Sequence, residues 1–335
     1  MDKENAKKQY RTVALTVFII AVLSLVLRIV SYYINLATMN WDMDDAWYSI
    51  ILEAMFTVPM QIGVLLVLPF LMYKLTLKKS FSGVMKFSGV RKSNLTICLL
   101  MIPLALCCYL VSMHISTIWQ IFLMIFGYTP PAGDAALPEV FNIGHFLLMV
   151  FLTAVLPGVC EEFANRGGLL TVIRSSHSKA YTVIIVGIAF GLFHQNIAQL
   201  VYTAVLGSLM AYLTLTTGSV LPAIILHFSN NFIAVILQNA TAYGWVIGEL
   251  YINFMESMII SSLSSYAVIA MLSAFLLVLL VRKIASRGNK RDIYLELNQA
   301  TVASGFKPML RDKIFFIGAI VVTAASNVLT FIYGL

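Results

Sequence analysis

The sequence predicts an all-α, polytopic membrane protein with about nine transmembrane helices, and three observations lead to that prediction. Hydrophobic residues occupy 60% of the 335 positions and charged residues only 11%, whereas a soluble domain carries roughly 25% charged residues. Apolar runs near the ~20 residues that cross a bilayer recur from end to end. Lys and Arg collect in alternate loops between these runs, as they do in helical membrane proteins.

Nine apolar segments justify the assignment, in the order 12–36, 47–76, 95–127, 143–173, 180–197, 199–217, 220–240, 254–281 and 313–333. The first segment follows a basic start, but it is too long for a signal peptide and no small-residue cleavage site ends it. We therefore interpret it as a true span. The last segment and the tail before it are interpreted as an addition to an eight-helix core.

The distribution of charge predicts the orientation in the membrane. Every Lys and Arg except Arg28 lies in, or toward, the loops on one side of the nine-span arrangement, the largest set around 284–312. Loops on the other side carry acidic residues instead, namely Asp42, Asp44, Asp45, Asp134, Glu139 and Glu249. The positive-inside rule then predicts a cytoplasmic N-terminus and an external C-terminus. The net charge of +7 therefore indicates membrane lipids as partners, not nucleic acid.

Two adjacent glutamates in the fourth segment are the strongest sign of chemistry, since each ionisable group inside a bilayer costs about 2.5–3.5 kcal/mol. Glu162 and Arg166 are four residues apart, share a helix face and are expected to pair. Glu161 then points about 100° away from Glu162, so it is not engaged by Arg166 and can have a catalytic role. Pro157 cannot donate to the carbonyl of Thr153, which predicts a kink just before the pair. The alternative is a helix end with a surface ion pair.

Two further pairs follow at one-turn spacing. Phe190 and His194 share one face, and so do His227 and Asn231. A rise of 1.5 Å per residue puts His194 about 22 Å beyond Lys179, close to the expected depth of the glutamates. Considered alone, either histidine could equally be a core residue whose hydrogen bonds are made within the protein.

Other polar residues in the spans are interpreted structurally. Arg28 and Glu53 lie at matched depths in consecutive segments, which predicts a buried ion pair. His114 and His145 have no partner in sequence and are assigned packing roles. Gly187 and Gly191 form a small face that predicts close helix contact beside the second motif.

In order, the three motifs read Glu-Glu-x-x-x-Arg, Phe-x-x-x-His and His-x-x-x-Asn, within about 145–236. This pattern resembles the CAAX prenyl protease 2 and bacteriocin-processing family of intramembrane proteases. The resemblance implies a catalytic core over 143–236, between N-terminal helices in 1–142 and C-terminal helices in 237–335, with a cavity open to the cytoplasmic leaflet.

The resemblance also implies roles for the motif residues. Glu161 and His194 would activate water, while His227 and Asn231 stabilise the tetrahedral oxyanion. Glu162 and Arg166 would support them. The substrate would be a peptide or membrane protein, prenylated for the eukaryotic and archaeal members. A bacterial cell membrane is the expected location.

Two alternatives stay open at this point. The family has been described both as metal-dependent and as a metal-free glutamate protease. Zinc held by Glu161, His194 and His227 would leave Glu162 as the base; no other cofactor is expected. From a different class, the chain could be a non-catalytic membrane scaffold or a bacteriocin-immunity protein.

Overall fold

A computed structural model describes residues 3–38, 46–129, 137–260, 263–288 and 305–333. Within these ranges the chain is helical and contains no β-strand, which confirms the predicted fold class. In chain order the helices are α1 Lys3–Thr38, α2 Ala46–Thr76, α3 Phe81–Phe87, α4 Leu95–Ile125, α5 Ile143–Arg174, α6 Lys179–Phe193, α7 Leu200–Thr217, α8 Leu221–Ala242, α9 Val246–Ile260, α10 Leu263–Arg287 and α11 Leu310–Tyr333.

Eight of the described helices are long and apolar enough to cross a membrane. The predicted segment 180–197 corresponds to α6, which has only 15 residues and spans about 22 Å. The predicted segment 254–281 covers parts of two helices, the end of α9 Val246–Ile260 and most of α10 Leu263–Arg287, and α10 contains the window long and apolar enough to span. Side chains exposed on the outer faces are largely apolar, including Leu95 and Ile125 at 73% and 76%, as expected of a surface solvated by lipid.

Two of the long helices contain π-helical turns. In α2 the turn covers Pro59–Val67, and in α5 the turns cover Phe151–Val155 and Phe163–Leu169. The first turn in α5 lies just before Pro157, where the sequence predicted a kink. π-Helical turns insert an extra residue into the hydrogen-bond ladder and rotate the side chains that follow, and they are frequent at functional sites.

The loops rich in basic residues lie together at one end of the bundle. Arg11 at the start of α1 pairs with Asp312 at the start of α11, with Nη2 and Oδ1 2.7 Å apart. The loop before α8 reaches the loop before α4, because the Ser219 hydroxyl donates to the carbonyl of Arg91 at 2.7 Å. Lys179 at the start of α6 donates to the hydroxyl of Thr216 at 3.0 Å. Residues 289–304 of the predicted basic segment 284–312 lie outside the described residues.

Helices α6 and α7 form an antiparallel hairpin packed backbone to backbone. A Cβ at Gly187 would overlap the Ser208 hydroxyl, and one at Gly191 would lie 2.5 Å from the carbonyl oxygen of Leu200. The predicted small-residue face is thus confirmed, and it brings the short helix α6 against α7 just before His194.

The last helix packs along the first. The rings of Tyr10 and Phe316 meet edge to face with centroids 5.3 Å apart, and those of Phe18 and Phe315 are 5.9 Å apart. Arg11 lies against Asp312, and further along both helices Arg28 Nη1 donates to the Thr330 hydroxyl at 3.4 Å, so α1 and α11 are parallel. The addition to the eight-helix core therefore lies against α1, and it also contacts α6.

Candidate active site

The site is a cavity of about 650 Å³ between α2, α4, α5, α7 and α8. Glu161, His194, His227 and Asn231 all line it. Helices α5 and α8 and the turn after α6 supply these side chains, so the one-turn motifs of the sequence meet in space.

Glu161 faces the cavity and is partly exposed, with 17% of its side-chain surface accessible. Its Oε1 accepts a hydrogen bond from Gln61 Nε2 at 2.9 Å, and its Oε2 lies 3.9 Å from His194 Nε2. Its backbone carbonyl accepts from Asn165 Nδ2 at 2.9 Å. One carboxylate oxygen is therefore fixed by the protein, while the other is directed toward the histidine and the cavity.

The tautomer of His194 follows from its contacts. Nδ1 lies 2.8 Å from the carbonyl oxygen of Phe190, and a carbonyl can only accept, so Nδ1 carries the hydrogen. In the neutral ring Nε2 is then an acceptor directed toward the Glu161 carboxylate, which is an acceptor too. A water molecule with two hydrogens can donate to both groups and keep a lone pair free.

Glu162 lies on the other side of the helix in complete burial. Its Oε1 is 3.0 Å from Arg166 Nη1, so the predicted ion pair is present, and neither side chain has any accessible surface. Arg166 Nη2 also donates to the carbonyl of Gly207 at 3.0 Å. The same Oε1 lies 3.0 Å from His227 Nδ1. Glu162 thus holds a histidine as well as an arginine, which the sequence did not reveal.

This contact sets the orientation of the His227 ring. The carboxylate accepts, so His227 Nδ1 donates and Nε2 is left on the opposite edge of the ring. The two histidines are therefore held in the same way, each through Nδ1, with Nε2 as the remaining polar atom.

Phe190 separates the two histidines. Its ring meets His194 edge to face at 4.6 Å and His227 at 5.7 Å between centroids. The Arg166 guanidinium lies over the same ring at 4.2 Å, within range of a cation–π contact. Phe190 is 2% exposed, so the aromatic position of the second motif acts as a spacer that fixes both rings.

Asn231 has a structural contact as well as a place on the cavity. Its Nδ2 donates to the carbonyl of Thr153 at 2.9 Å. Pro157, four residues on, lacks an N–H and cannot donate to that carbonyl. One amide hydrogen of Asn231 is thereby used, and the second is left for a ligand. The neighbouring Asn230 also lines the cavity, and its buried Oδ1 has no hydrogen-bond partner among the described residues.

Close helix contact brings the two sides of the site together. A Cβ at Gly158 would lie 3.2 Å from the backbone nitrogen of Phe228, so α5 and α8 approach with only a hydrogen between their backbones. Gly158 is one turn before Glu162, and Phe228 follows His227. The glycine therefore permits the 3.0 Å contact between those two side chains.

Side chains from α1 and α11 hold the turn that carries His194. The last carbonyls of a helix lack partners within it, and here Arg28 Nη2 donates to the His194 carbonyl at 3.0 Å. The Thr330 hydroxyl donates to the Gln195 carbonyl at 2.7 Å, and Asn327 Nδ2 donates to that of Leu192 at 3.2 Å. Gln195 itself is 2% exposed and has a φ of +50°, a conformation that needs such support.

The predicted ion pair between Arg28 and Glu53 is wrong. Arg28 points to the His194 turn, while Glu53 lines the large cavity and makes no hydrogen bond or ion pair with any described residue. The two side chains leave their helices toward different cavities, which a comparison of depth along the chain cannot predict. His145 packs as expected, with Nε2 3.2 Å from the carbonyl of Ala46, and His114 Nδ1 contacts the carbonyl of Leu110.

The zinc alternative finds no ligand cluster. Across the described ranges, no group of three or more His, Cys, Asp or Glu side chains is placed to hold a metal ion. Glu161 and His194 lie near each other, and the Nδ1 contact of His227 with Glu162 leaves Nε2 as its one possible ligand atom. Because the three side chains do not form a ligand group in the described ranges, no chemical step is assigned to a metal below.

Gln61 is the site residue that the sequence did not single out. It lies in the π-helical turn of α2, is 8% exposed, and binds Glu161 from a helix 100 residues away in the chain. Its polarity within an apolar segment was visible, yet nothing local indicates which partner it meets. The same holds for Thr330 and Asn327, which lie outside the three motifs.

Residues 143–233 match the family model described as Type II CAAX prenyl endopeptidase Rce1-like. This match confirms the resemblance drawn from the motifs, and it includes the two glutamates, both histidines and Asn231. No curated protein and no solved structure shows a significant match to the chain.

Proposed function

We propose that the protein is an intramembrane endopeptidase. The proposal starts from the match of residues 143–233 to the Rce1-like family model. One observation carries the proposal. Glu161 Oε2 and His194 Nε2 lie 3.9 Å apart on the wall of the cavity that also holds His227 and Asn231. Peptide hydrolysis needs a base for water, donors for the oxyanion and a site shielded from bulk solvent, and these side chains can supply all three.

In the first step a water molecule donates one hydrogen bond to Glu161 and one to His194. The oxygen of this water attacks the peptide carbonyl carbon while the Glu161 carboxylate takes its proton. Gln61, bound to the other carboxylate oxygen at 2.9 Å, keeps Glu161 in position. The product of this step is a tetrahedral intermediate with its negative charge on the former carbonyl oxygen.

The oxyanion is stabilised from the α8 side of the cavity. The free amide hydrogen of Asn231 is one donor, and the second is assigned to His227, which Glu162 holds through Nδ1. Collapse of the intermediate breaks the C–N bond, and the proton held by Glu161 passes to the departing amine. The carboxylate is then restored for the next cycle.

The substrate is proposed to be a peptide or membrane protein that reaches the cavity from the bilayer. The exposed apolar faces around the helices allow a hydrophobic or prenylated chain to approach through lipid. Membrane lipids are the other expected partners, at the end of the bundle where the basic loops gather. The expected location is a bacterial cell membrane.

The test is hydrolysis of internally quenched peptides ending in a CAAX sequence, farnesylated and unfarnesylated, by purified full-length protein. We expect cleavage that persists with a strong chelator and is lost in Glu161→Gln. Activity lost to the chelator and restored by zinc would make the same residues metal ligands. Binding of the peptides without cleavage by the wild-type protein would favour the scaffold or immunity alternative.

Orientation is proposed from the charge of the loops, with the N-terminus cytoplasmic and the C-terminus outside. A reporter fused after Leu335 should then be external, and one inserted at Gly288 cytoplasmic. The same location for both reporters would contradict the arrangement.

A further inference from the structure

A second cavity, of about 440 Å³, meets the large one at the proposed catalytic pair. It lies between α1 and α2, and it shares Glu161, His194, Gln61 and Phe190 with the large cavity. The oxyanion residues His227 and Asn231 line only the large cavity. Glu161 and His194 are therefore approached from two sides, and only one side offers the groups that would bind a peptide carbonyl.

One face of α1 lines this second cavity with polar side chains: Ser24, Arg28, Ser31 and Asn35. At 100° per residue these four positions fall within an arc of about 60°, and they extend for about 16 Å along the helix. Val26 and Val30 lie on the opposite side and are 48% and 43% exposed. The polar residues of this helix segment are thus confined to the cavity side.

At the deep end of this polar stripe lies Gln61, whose amide oxygen receives no hydrogen bond from the described residues. The carboxylate of Glu161 accepts only, so the amide nitrogen of Gln61 must face it and the amide oxygen must point away. That Oε1 is buried and has no hydrogen-bond partner among the described residues, and the whole side chain is 92% buried. Glu161 Oε2 and neutral His194 Nε2 are acceptors as well, and they lie 3.9 Å apart. Two facing acceptors at this distance suit a small molecule that donates two hydrogens.

The other end of the stripe is open. Asn35 is exposed, Ser31 is half-buried and Ser24 is buried, so access decreases from the Thr38 end of α1 toward Glu161. The cavity is many times larger than the about 30 Å³ that one water occupies in the liquid. Its polar lining can hydrogen-bond such water along the way.

We propose that the cavity between α1 and α2 is the path by which water reaches Glu161 and His194, opening near Asn35, while the large cavity receives the peptide. The proposal rests on the proposed function for the identity of the reacting pair. The separation matters chemically, because a peptide that fills the large cavity would otherwise block the supply of the co-substrate.

Cysteine accessibility tests the path without requiring activity. Ser31→Cys and Asn35→Cys are compared with Val30→Cys in the full-length protein in vesicles, using a charged, membrane-impermeant methanethiosulfonate and the wild-type protein as baseline for native cysteines. The reagent reacts with the thiolate, which forms in water and not in lipid. We expect both stripe variants to react at least about tenfold faster than the Val30 variant. Equal rates would overturn the path.

A second measurement separates water from peptide. Ser31→Leu narrows the path, with Val30→Leu as the matched control on the lipid side. For Ser31→Leu we expect kcat to fall about tenfold, because less water reaches the site. KM for the peptide should stay unchanged, because no contact with the bound peptide is removed. A raised KM with unchanged kcat would instead assign this cavity to the peptide and overturn the proposal. If the wild-type protein hydrolyses nothing, the proposed function fails, while the labelling result still decides whether the path holds water.

Discussion

Two adjacent glutamates occupy opposite environments, and the difference divides the site into halves. The open half comprises Glu161, His194 and Gln61, where the carboxylate and imidazole retain 17% and 20% exposure. The closed half comprises Glu162, Arg166 and His227, where the ion pair has none. Of two chemically identical side chains one residue apart, Glu161 can therefore contact water, whereas Glu162 contacts only other protein groups.

The cause is the direction each side chain takes from α5. Consecutive residues point about 100° apart on a helix, so one carboxylate faces the junction of two cavities and the other faces α7 and α8. Each half needs the other: the closed half orients the histidine that would receive the oxyanion, and the open half would generate the nucleophile. Four variants test this division of the site, and they are given from the largest expected effect to the smallest.

Glu161→Gln should nearly abolish turnover, by about 10²–10⁴-fold, because the base is lost while the shape is kept. The thermal unfolding midpoint should change little, since the side chain is cavity-facing and the amide can still pair with Gln61. Hydrolysis rate and melting temperature on the same preparation check both parts. Wild-type rates in this variant would refute the role of the open half.

Asn231→Ala should lower the rate by about 10²–10³-fold, the usual effect of removing one oxyanion donor. It should also destabilise the fold by about 1–3 kcal/mol, because the Thr153 carbonyl loses its partner. Single-turnover kinetics and denaturant unfolding measure the two effects separately. A loss of stability with an unchanged rate would leave Asn231 a purely structural role.

Glu162→Gln should act mainly on stability, lowering it by about 3–5 kcal/mol because the buried Arg166 loses its counter-charge. The double variant Glu162→Leu with Arg166→Met should recover much of that loss, since neither charge is then buried alone. Its activity should stay low, because His227 has lost its acceptor. Full activity in the folded double variant would show that the closed half does not orient His227.

Thr330→Val should have the smallest effect, because it removes only the hydroxyl that donates to the Gln195 carbonyl and accepts from Arg28 Nη1. One such hydrogen bond contributes about 1 kcal/mol, and a barrier raised by that amount lowers the rate about fivefold. The same substitution at Thr323, which bonds only within α11, is the matched control. Comparison of kcat in the two variants measures the support that the last helix gives to the His194 turn. Equal values would show that the Thr330 hydroxyl does not support the His194 turn.

The sequence by itself determined the class of fold and the chemistry of the motifs. Both are local properties: hydropathy over a span length decides whether a segment enters lipid, and one-turn spacing decides which side chains share a face. The Glu162–Arg166 pair is four residues apart, and the small face at Gly187 and Gly191 depends on the same periodicity. These features could be predicted without knowing which residues from distant parts of the sequence pack nearby.

Only the tertiary structure decided the partners that come from other helices. The Gln61–Glu161 bond, the His227–Glu162 contact and the hold of Arg28 on the His194 turn depend on how helices rotate about their axes. Depth along a helix can be counted from the sequence, but rotation is set by packing against every neighbour at once. That is why the Arg28–Glu53 pairing failed although its depth argument was sound, and why two neighbouring glutamates acquired different environments.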